Sequence, residues 1–370
     1  MEARKGEGSV AVVIGTRPEG IKLCPLVRAM RAHGIDVRVI STGQHREMLS
    51  AVFSAFSVEP DAILSAQIHY GEDLAGLMLH LFSSLRDAIT ALSPSAVIVQ
   101  GDTATAYAAA LISFLLRIPV IHLEAGLRSG DPFSPFPEES FRKGIAAMAS
   151  VHIAPTPQAM MHLWREGVPK KRIFLLGNTV EDAVRLLLPK VPKPSKRILL
   201  TLHRREHSES VLRGVFSAVR VLMQQFPDLS LVYPVHPSAR VRCIAEQALG
   251  DVERVRLVPP LSPVEFYPLL ASTPLVLTDS GGVQEEAAIL GVKTLVLREN
   301  TEREDELQRG RIRLAGTDPI RIVSMAREML LSQDKNKKES RSGSPSERIC
   351  KVLLTFKEFD FDMQRLFQES

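Results

Sequence analysis

Cysteine is scarce in this chain. Only Cys24, Cys243 and Cys350 occur among 370 residues, far apart and odd in number. No spacing fits a zinc site or a disulfide framework, so reduced thiols in a reducing compartment are expected. No apolar run approaches the ~20 residues needed to cross a bilayer. Met1–Ser9 is charged and glycine-bearing, with no apolar signal core. These absences predict a cytoplasmic protein without a membrane segment. Excess charge of one sign is also missing: the formal net charge is +4. No long basic run carries aromatics between its charges, so a nucleic-acid partner is not expected. The GxGxxG fingerprint of dinucleotide sites is absent. No cofactor and no metal are expected.

What the chain does contain is a repeated alternation. Hydrophobic residues make up 45% and charged residues 24%, ordinary for a globular protein with about two domains. Val10–Ile14, Val37–Ile40, Ala96–Val99, Val120–Leu123, Val151–Ala154 and Ile173–Leu176 are short runs rich in Val and Ile. They lack polar alternation, as expected of strands covered on both faces. Amphipathic stretches such as Leu23–Ala32 and Asp73–Leu92 lie between them. Pro189, Pro192 and Pro194 then interrupt the pattern, a composition suited to a semi-rigid linker. Ile198–Leu202, Leu229–Tyr233, Val255–Val258, Leu275–Thr278, Thr294–Leu297 and Ile312–Ala315 restart it. The expected fold is α/β, with two doubly wound Rossmann-like domains facing across a cleft. The boundaries read as 1–188 for the N-terminal domain, 189–196 for the linker and 197–332 for the C-terminal domain. Residues 333–370 read as a polar loop and a helical tail, the helix starting at Ile349.

Residues able to carry chemistry gather at strand ends. The first strand runs into Gly15-Thr16-Arg17-Pro18-Glu19-Gly20-Ile21-Lys22. Gly15 permits a tight turn, and Arg17 and Lys22 stand near a helix start, where phosphate is favoured. An ordinary βα turn with solvated charges reads the same way. Asp102 and Glu124 each follow a buried strand. On neighbouring strands they would share one cleft, where like charges raise one pKa. Alternatively, Asp102 is a helix cap, and Glu138, after Ser134–Pro137, is a dipole partner of the next helix. In the second half, Ser280-Gly281-Gly282 opening a helix suits a pyrophosphate. Glu286 follows, placed to accept from ribose hydroxyls. His203 beside two arginines suits an anion or a leaving phosphate, and His236 reads equally as a hydrogen-bonded histidine under a proline turn.

Taken in order, GTRPEGIK, TGQHREML, QGDTAT, HLEAGLRSGD, SPFPEE, GNTVEDA, HRRE, YPVH, TDSGGVQEEA and LRENTER resemble the non-hydrolysing UDP-N-acetylglucosamine 2-epimerases. The resemblance covers roughly Val10 to Val323. It implies a glycosyltransferase-B-type fold with the active site in the interdomain cleft. Asp102, Glu124, Glu138 and His203 match the family's catalytic residues. Ser280, Gly281 and Gly282 would hold phosphate, Glu286 the ribose, and Phe266 would lie near the uracil. Arg17, Lys22 and Arg303 would reach the diphosphate or sugar. Gln44, His45 and His236 match a second, activator site for UDP-N-acetylglucosamine. The implied partners are UDP-N-acetylglucosamine and UDP-N-acetylmannosamine, in a homodimer supplying cell-envelope polysaccharide synthesis. Elimination of UDP to a 2-acetamidoglucal, then re-addition, is the implied route.

The chain departs from the family pattern at His207, at Phe141 before Arg142, and at Glu304. The Arg-Gln pair expected after the activator motif is absent. A hydrolysing 2-epimerase, a glycosyltransferase of the same fold and a non-catalytic sugar-nucleotide-binding regulator are the rival readings.

Overall fold

A computed structural model describes residues 8–44, 46–65, 73–133, 135–202, 208–235, 238–299, 311–332 and 343–358. The chain divides into two compact units. One comprises Met1–Leu186 with Ser342–Ser370, the other Leu187–Arg341. The stretch between Leu187 and Arg197 has neither helix nor strand, as its prolines dictate.

In the first unit the strands are β1 (Val10–Ile14), β2 (Val37–Ser41), β3 (Ala62–Ile63), β4 (Ala96–Gln100), β5 (Val120–Leu123), β6 (Val151–Ala154) and β7 (Ile173–Leu175). They form one sheet in the order β3-β2-β1-β4-β5-β6-β7, and every pairing is parallel. Because β1 pairs with both β2 and β4, the strand order reverses there. Ligands of doubly wound sheets bind outside the carboxyl ends at such a point. All five residues of β4 are buried, which explains the unbroken apolar runs. The core joins Val13, Ile40, Val97 and Val99 to Leu81, Leu85 and Ile89 of helix α3 (Leu74–Leu92).

Helices α1 (Arg17–Ala32), α2 (Arg46–Phe56), α4 (Ala104–Leu115), α5 (Glu138–Met148), α6 (Pro157–Arg165) and α7 (Val180–Leu187) complete this part of the chain.

The second unit repeats the plan. Strands β8 (Arg197–Thr201), β9 (Ser230–Pro234), β10 (Val255–Val258), β11 (Val276–Thr278), β12 (Thr294–Val296) and β13 (Ile312–Leu314) stand in the order β10-β9-β8-β11-β12-β13. Its reversal lies between β8 and β11. The helices are α8 (Glu209–Gln225), α9 (Ala239–Leu249), α10 (Pro263–Ser272), α11 (Gly281–Leu290) and α12 (Pro319–Leu331). Phe216, Val219 and Leu222 of α8 pack with Leu200, Leu277 and Leu295 in one buried cluster.

The last described helix, α13 (Pro345–Glu358), starts four residues before the expected Ile349. Ser344 Oγ accepts from Glu347 N at 3.2 Å and Pro345 fits the first turn, so the cap falls earlier than the apolar pattern. The helix belongs to the first unit. Ser346 N donates to Asp182 at 2.8 Å, and Arg348 donates twice to the Leu176 carbonyl, at 3.0 and 2.7 Å. No helix among the described residues is long and apolar enough to cross a membrane.

Candidate active site

At the first unit's reversal, β1 and β4 present Gly15-Thr16 and Gly101-Asp102. Glu19 ties these turns together. Its carboxylate accepts from Gly15 N at 2.9 Å, Thr16 N at 2.6 Å and Thr16 Oγ1 at 2.9 Å. Its other oxygen accepts from Thr103 Oγ1 at 2.7 Å. Burial pushes this carboxyl above the ordinary range, against the pull of those donors. Thr16-Arg17-Pro18-Glu19 is the T-x-x-E signature of a capping box, so the sequence itself carries a signal for Glu19. Gly15 is needed for a different reason from the tight turn first expected. Its φ lies outside the left-handed region, but a Cβ there would sit 2.0 Å from Thr105 Oγ1 and 2.8 Å from Thr42 Oγ1.

Asp102 is not the cap of α4. Thr103 takes that role, its hydroxyl accepting from Ala106 N at 3.0 Å. Asp102 Oδ2 instead accepts from Arg142 of α5, from Nε at 3.0 Å and also from Nη2. The same guanidinium donates from Nη1 to Glu139 Oε2 at 2.9 Å. Arg142 and Glu139 are buried, and neither had been singled out for a role in the site. The i, i+3 spacing of Glu139 and Arg142 on α5 was the available signal.

β4 pairs with β5 in parallel, matching Gln100 to Leu123. Glu124 therefore follows its strand beside Asp102, as the sequence suggested. It occupies the left-handed region at φ 60°, a conformation that costs a non-glycine residue about 1–3 kcal/mol. One oxygen, Oε2, collects Lys22 Nζ, Gln100 Nε2 at 2.7 Å and Asn178 Nδ2 at 3.0 Å. The two carboxylates thus have separate cations, Arg142 for Asp102 and Lys22 for Glu124.

Of the other expected residues here, Glu138 opens α5 and Arg17 opens α1, each half-buried. Gln44 Oε1 accepts from Thr105 Oγ1 at 3.0 Å. Phe141, where the family pattern has asparagine, stacks on Tyr107 with ring centroids 4.8 Å apart. It fills the α4–α5 core without displacing Arg142.

In the second unit, Ser280 caps α11 and Gly281 and Gly282 form its first turn. Ser280 N donates to Thr278 Oγ1 at 3.0 Å, and Thr278 Oγ1 lies 2.6 Å from Thr201 Oγ1 across β8 and β11. A Cβ on Gly282 would have Ser280 Oγ as its nearest neighbour, at 3.8 Å. Gly281 and Gly282 place no side chain of their own over the first peptide N–H groups of the helix, where an anion is favoured. Glu286 Oε1 accepts from Tyr267 Oη at 2.8 Å. Phe266 is buried and meets the Tyr267 ring edge-on, so Phe266 and Glu286 are linked through Tyr267. His203, Arg303, His45 and His236 lie outside the described residues. Among the described residues, no group of three or more His, Cys, Asp or Glu side chains is placed to hold a metal ion.

A family model of UDP-N-acetylglucosamine 2-epimerases matches residues 28–354. The UDP-N-acetylglucosamine 2-epimerase of Bacillus subtilis strain 168 is 40% identical over 361 residues, spanning 93% of this chain and 94% of that protein. The crystal structure of the Neisseria meningitidis UDP-GlcNAc 2-epimerase bound to UDP-GlcNAc matches with TM-score 0.87 at 33% identity. It covers 94% of this chain and 100% of that one. A glycotransferase of kitacinnamycin, 16% identical, matches with TM-score 0.61 over 95% of this chain and 99% of its own. That likeness is one of fold alone, the two-domain α/β fold of glycosyltransferase-B enzymes. By sequence over nearly its whole length, the chain belongs to the UDP-N-acetylglucosamine 2-epimerase family.

Proposed function

We propose that this protein interconverts UDP-N-acetylglucosamine and UDP-N-acetylmannosamine without hydrolysis. The observation that carries the reading is the pair of carboxylates on adjacent strand ends, Asp102 and Glu124, each with its own buried cation.

The hydrogen on carbon 2 of the sugar is not acidic, since no carbonyl is adjacent. A base removes it while the bond from carbon 1 to the diphosphate oxygen breaks. The C–H electron pair forms the C1=C2 double bond of a 2-acetamidoglucal, and UDP departs with the C–O pair. Protonation of carbon 2 on the other face, with return of UDP to carbon 1, completes the inversion. Asp102, Glu124 and Glu138 are the groups proposed to move these protons, each contributing about 10²–10⁴-fold. Asp102 is the preferred base.

In this reading Arg17 and Lys22 bind the sugar or diphosphate. Ser280, Gly281, Gly282 and Glu286 hold the UDP, with Phe266 near the uracil. His203 and Arg303 stabilise the leaving diphosphate. The GTRPE block, at which hydrolysing relatives depart, is kept here. A homodimer supplying surface-polysaccharide synthesis, in the cytoplasm, completes the proposal.

The test is to incubate the full chain with UDP-N-acetylglucosamine in D2O and follow it by NMR. Expected are the 2-epimer and deuterium at carbon 2 without any acceptor. Accumulation of free N-acetylmannosamine with UDP would replace this reading by the hydrolysing one. Binding without turnover would point to a regulator.

A further inference from the structure

We infer that His122 is a positioning residue for Asp102, acting as a neutral donor from Nε2 to the Gly101 carbonyl. The inference rests on the epimerase reading above.

His122 is fully buried on β5, and its Nε2 lies 2.8 Å from Gly101 O. A carbonyl can only accept, so Nε2 carries the proton and Nδ1 is bare. Nδ1 is buried with no hydrogen-bond partner among the described residues, consistent with that tautomer. Gly101 also donates its N–H to Leu123 O at 3.0 Å. Gly101 is therefore held by β5 through both its own N–H and its C=O, and that C=O belongs to the peptide unit leading into Asp102. Gly101 has a φ of 70°, in the left-handed region that glycine adopts without a Cβ penalty.

Glu124 directly follows the same strand. One strand thus sets both carboxylates, Glu124 through its own backbone and Asp102 through His122 and Gly101. A second histidine extends the arrangement. His152 is the register partner of His122 on β6, the strand that begins two residues after Ala149, the C-cap of α5. Helix α5 carries Glu138, Glu139 and Arg142.

Burial lowers the His122 pKa to about 4 and the His152 pKa to about 3. Both rings are neutral near pH 7, so His122 serves as a fixed donor and not as a proton shuttle.

The experiment compares the full chain with His122→Gln, His122→Asn and His122→Leu, measuring kcat and KM for UDP-N-acetylglucosamine. Glutamine can place an N–H where imidazole Nε2 lies; asparagine stops at the reach of Nδ1. His122→Gln is expected within about threefold of the parent. His122→Asn and His122→Leu should lose ~10–100-fold in kcat at unchanged KM, as displacement of a catalytic group by about 1 Å costs. If His122→Leu does not fold, the Gln and Asn pair still decides.

Equal kcat for Gln and Asn, or a loss confined to KM, overturns the inference. So does a ¹⁵N spectrum of the parent showing the His122 proton on Nδ1, whatever the activity. A parent that does not turn over UDP-N-acetylglucosamine at all overturns the epimerase reading instead.

Discussion

Lys22 Nζ donates to Glu124 Oε2, joining residues 102 positions apart, with 5% and 7% of their side chains exposed. A buried ion pair of this kind is costly to break from one side, because the remaining charge stays desolvated. Lys22→Met is therefore expected to cost about 3–5 kcal/mol in the unfolding of the first unit. Lys22→Met with Glu124→Gln should recover a large part of that loss, since the neutral amide carries no buried charge. Urea unfolding of the single and double variants measures the difference. A double variant no more stable than Lys22→Met would show that the loss comes from packing of the lysine stem.

Arg142 forks between Asp102 and Glu139 with three different nitrogens. Lysine keeps the charge but has no planar fork. Arg142→Lys is thus expected to lower kcat by about 10²-fold with a smaller effect on KM, because Asp102 is displaced while substrate contacts persist. Steady-state kinetics of the variant, checked by circular dichroism for folding, reads this out. A kcat within about threefold of the parent would mean that charge alone suffices at this position.

These contacts mark where reading the sequence stopped. The strand runs were legible because burial on both faces removes polar alternation. Ala96–Val99 and Val120–Leu123 fall on β4 and β5 for that reason. Asp102 and Glu124 were legible because residues after such strands face one edge of the sheet. Their partners were not. Arg142 lies 40 residues from Asp102 and Lys22 102 from Glu124, and only the packing of helices on the sheet brings them together. β3 has just two residues, Ala62–Ile63, too few to show a period. Thr103 displaced Asp102 as the α4 cap, a one-residue choice that cap preferences alone do not make.

Tyr267 donates to Glu286 inside the second unit, at 2.8 Å between buried groups. If Glu286 meets the ribose, Tyr267 sets its orientation. Tyr267→Phe keeps the ring against Phe266 and removes the hydroxyl that donates to Glu286. The expected result is a roughly five- to tenfold weaker Kd for UDP, about the worth of one ordinary hydrogen bond. The kcat at saturating substrate should barely change. Calorimetric titration with UDP measures it, and an unchanged Kd would remove Glu286 from the nucleotide site.

The neutral histidines also shape the acid stability of the fold. Both have folded-state pKa values below the ordinary 6.5, at about 4 for His122 and about 3 for His152, burial being the main cause. Below pH 6.5 the unfolded chain takes up protons that the folded chain refuses. Stability therefore falls as pH drops, by about 1.4 kcal/mol per pH unit for each histidine, until the folded pKa is reached. His152→Leu removes one of these titrations and leaves Asp102, Glu124 and their cations in place. Between about pH 6 and about pH 4.5 its stability should fall less steeply than the parent's, by that same amount per pH unit. The comparison cancels the titration of every other group common to both proteins. Denaturant melts across this range measure the two slopes. Parallel slopes would mean that His152 is protonated in the folded protein and that β6 holds a charge beside His122.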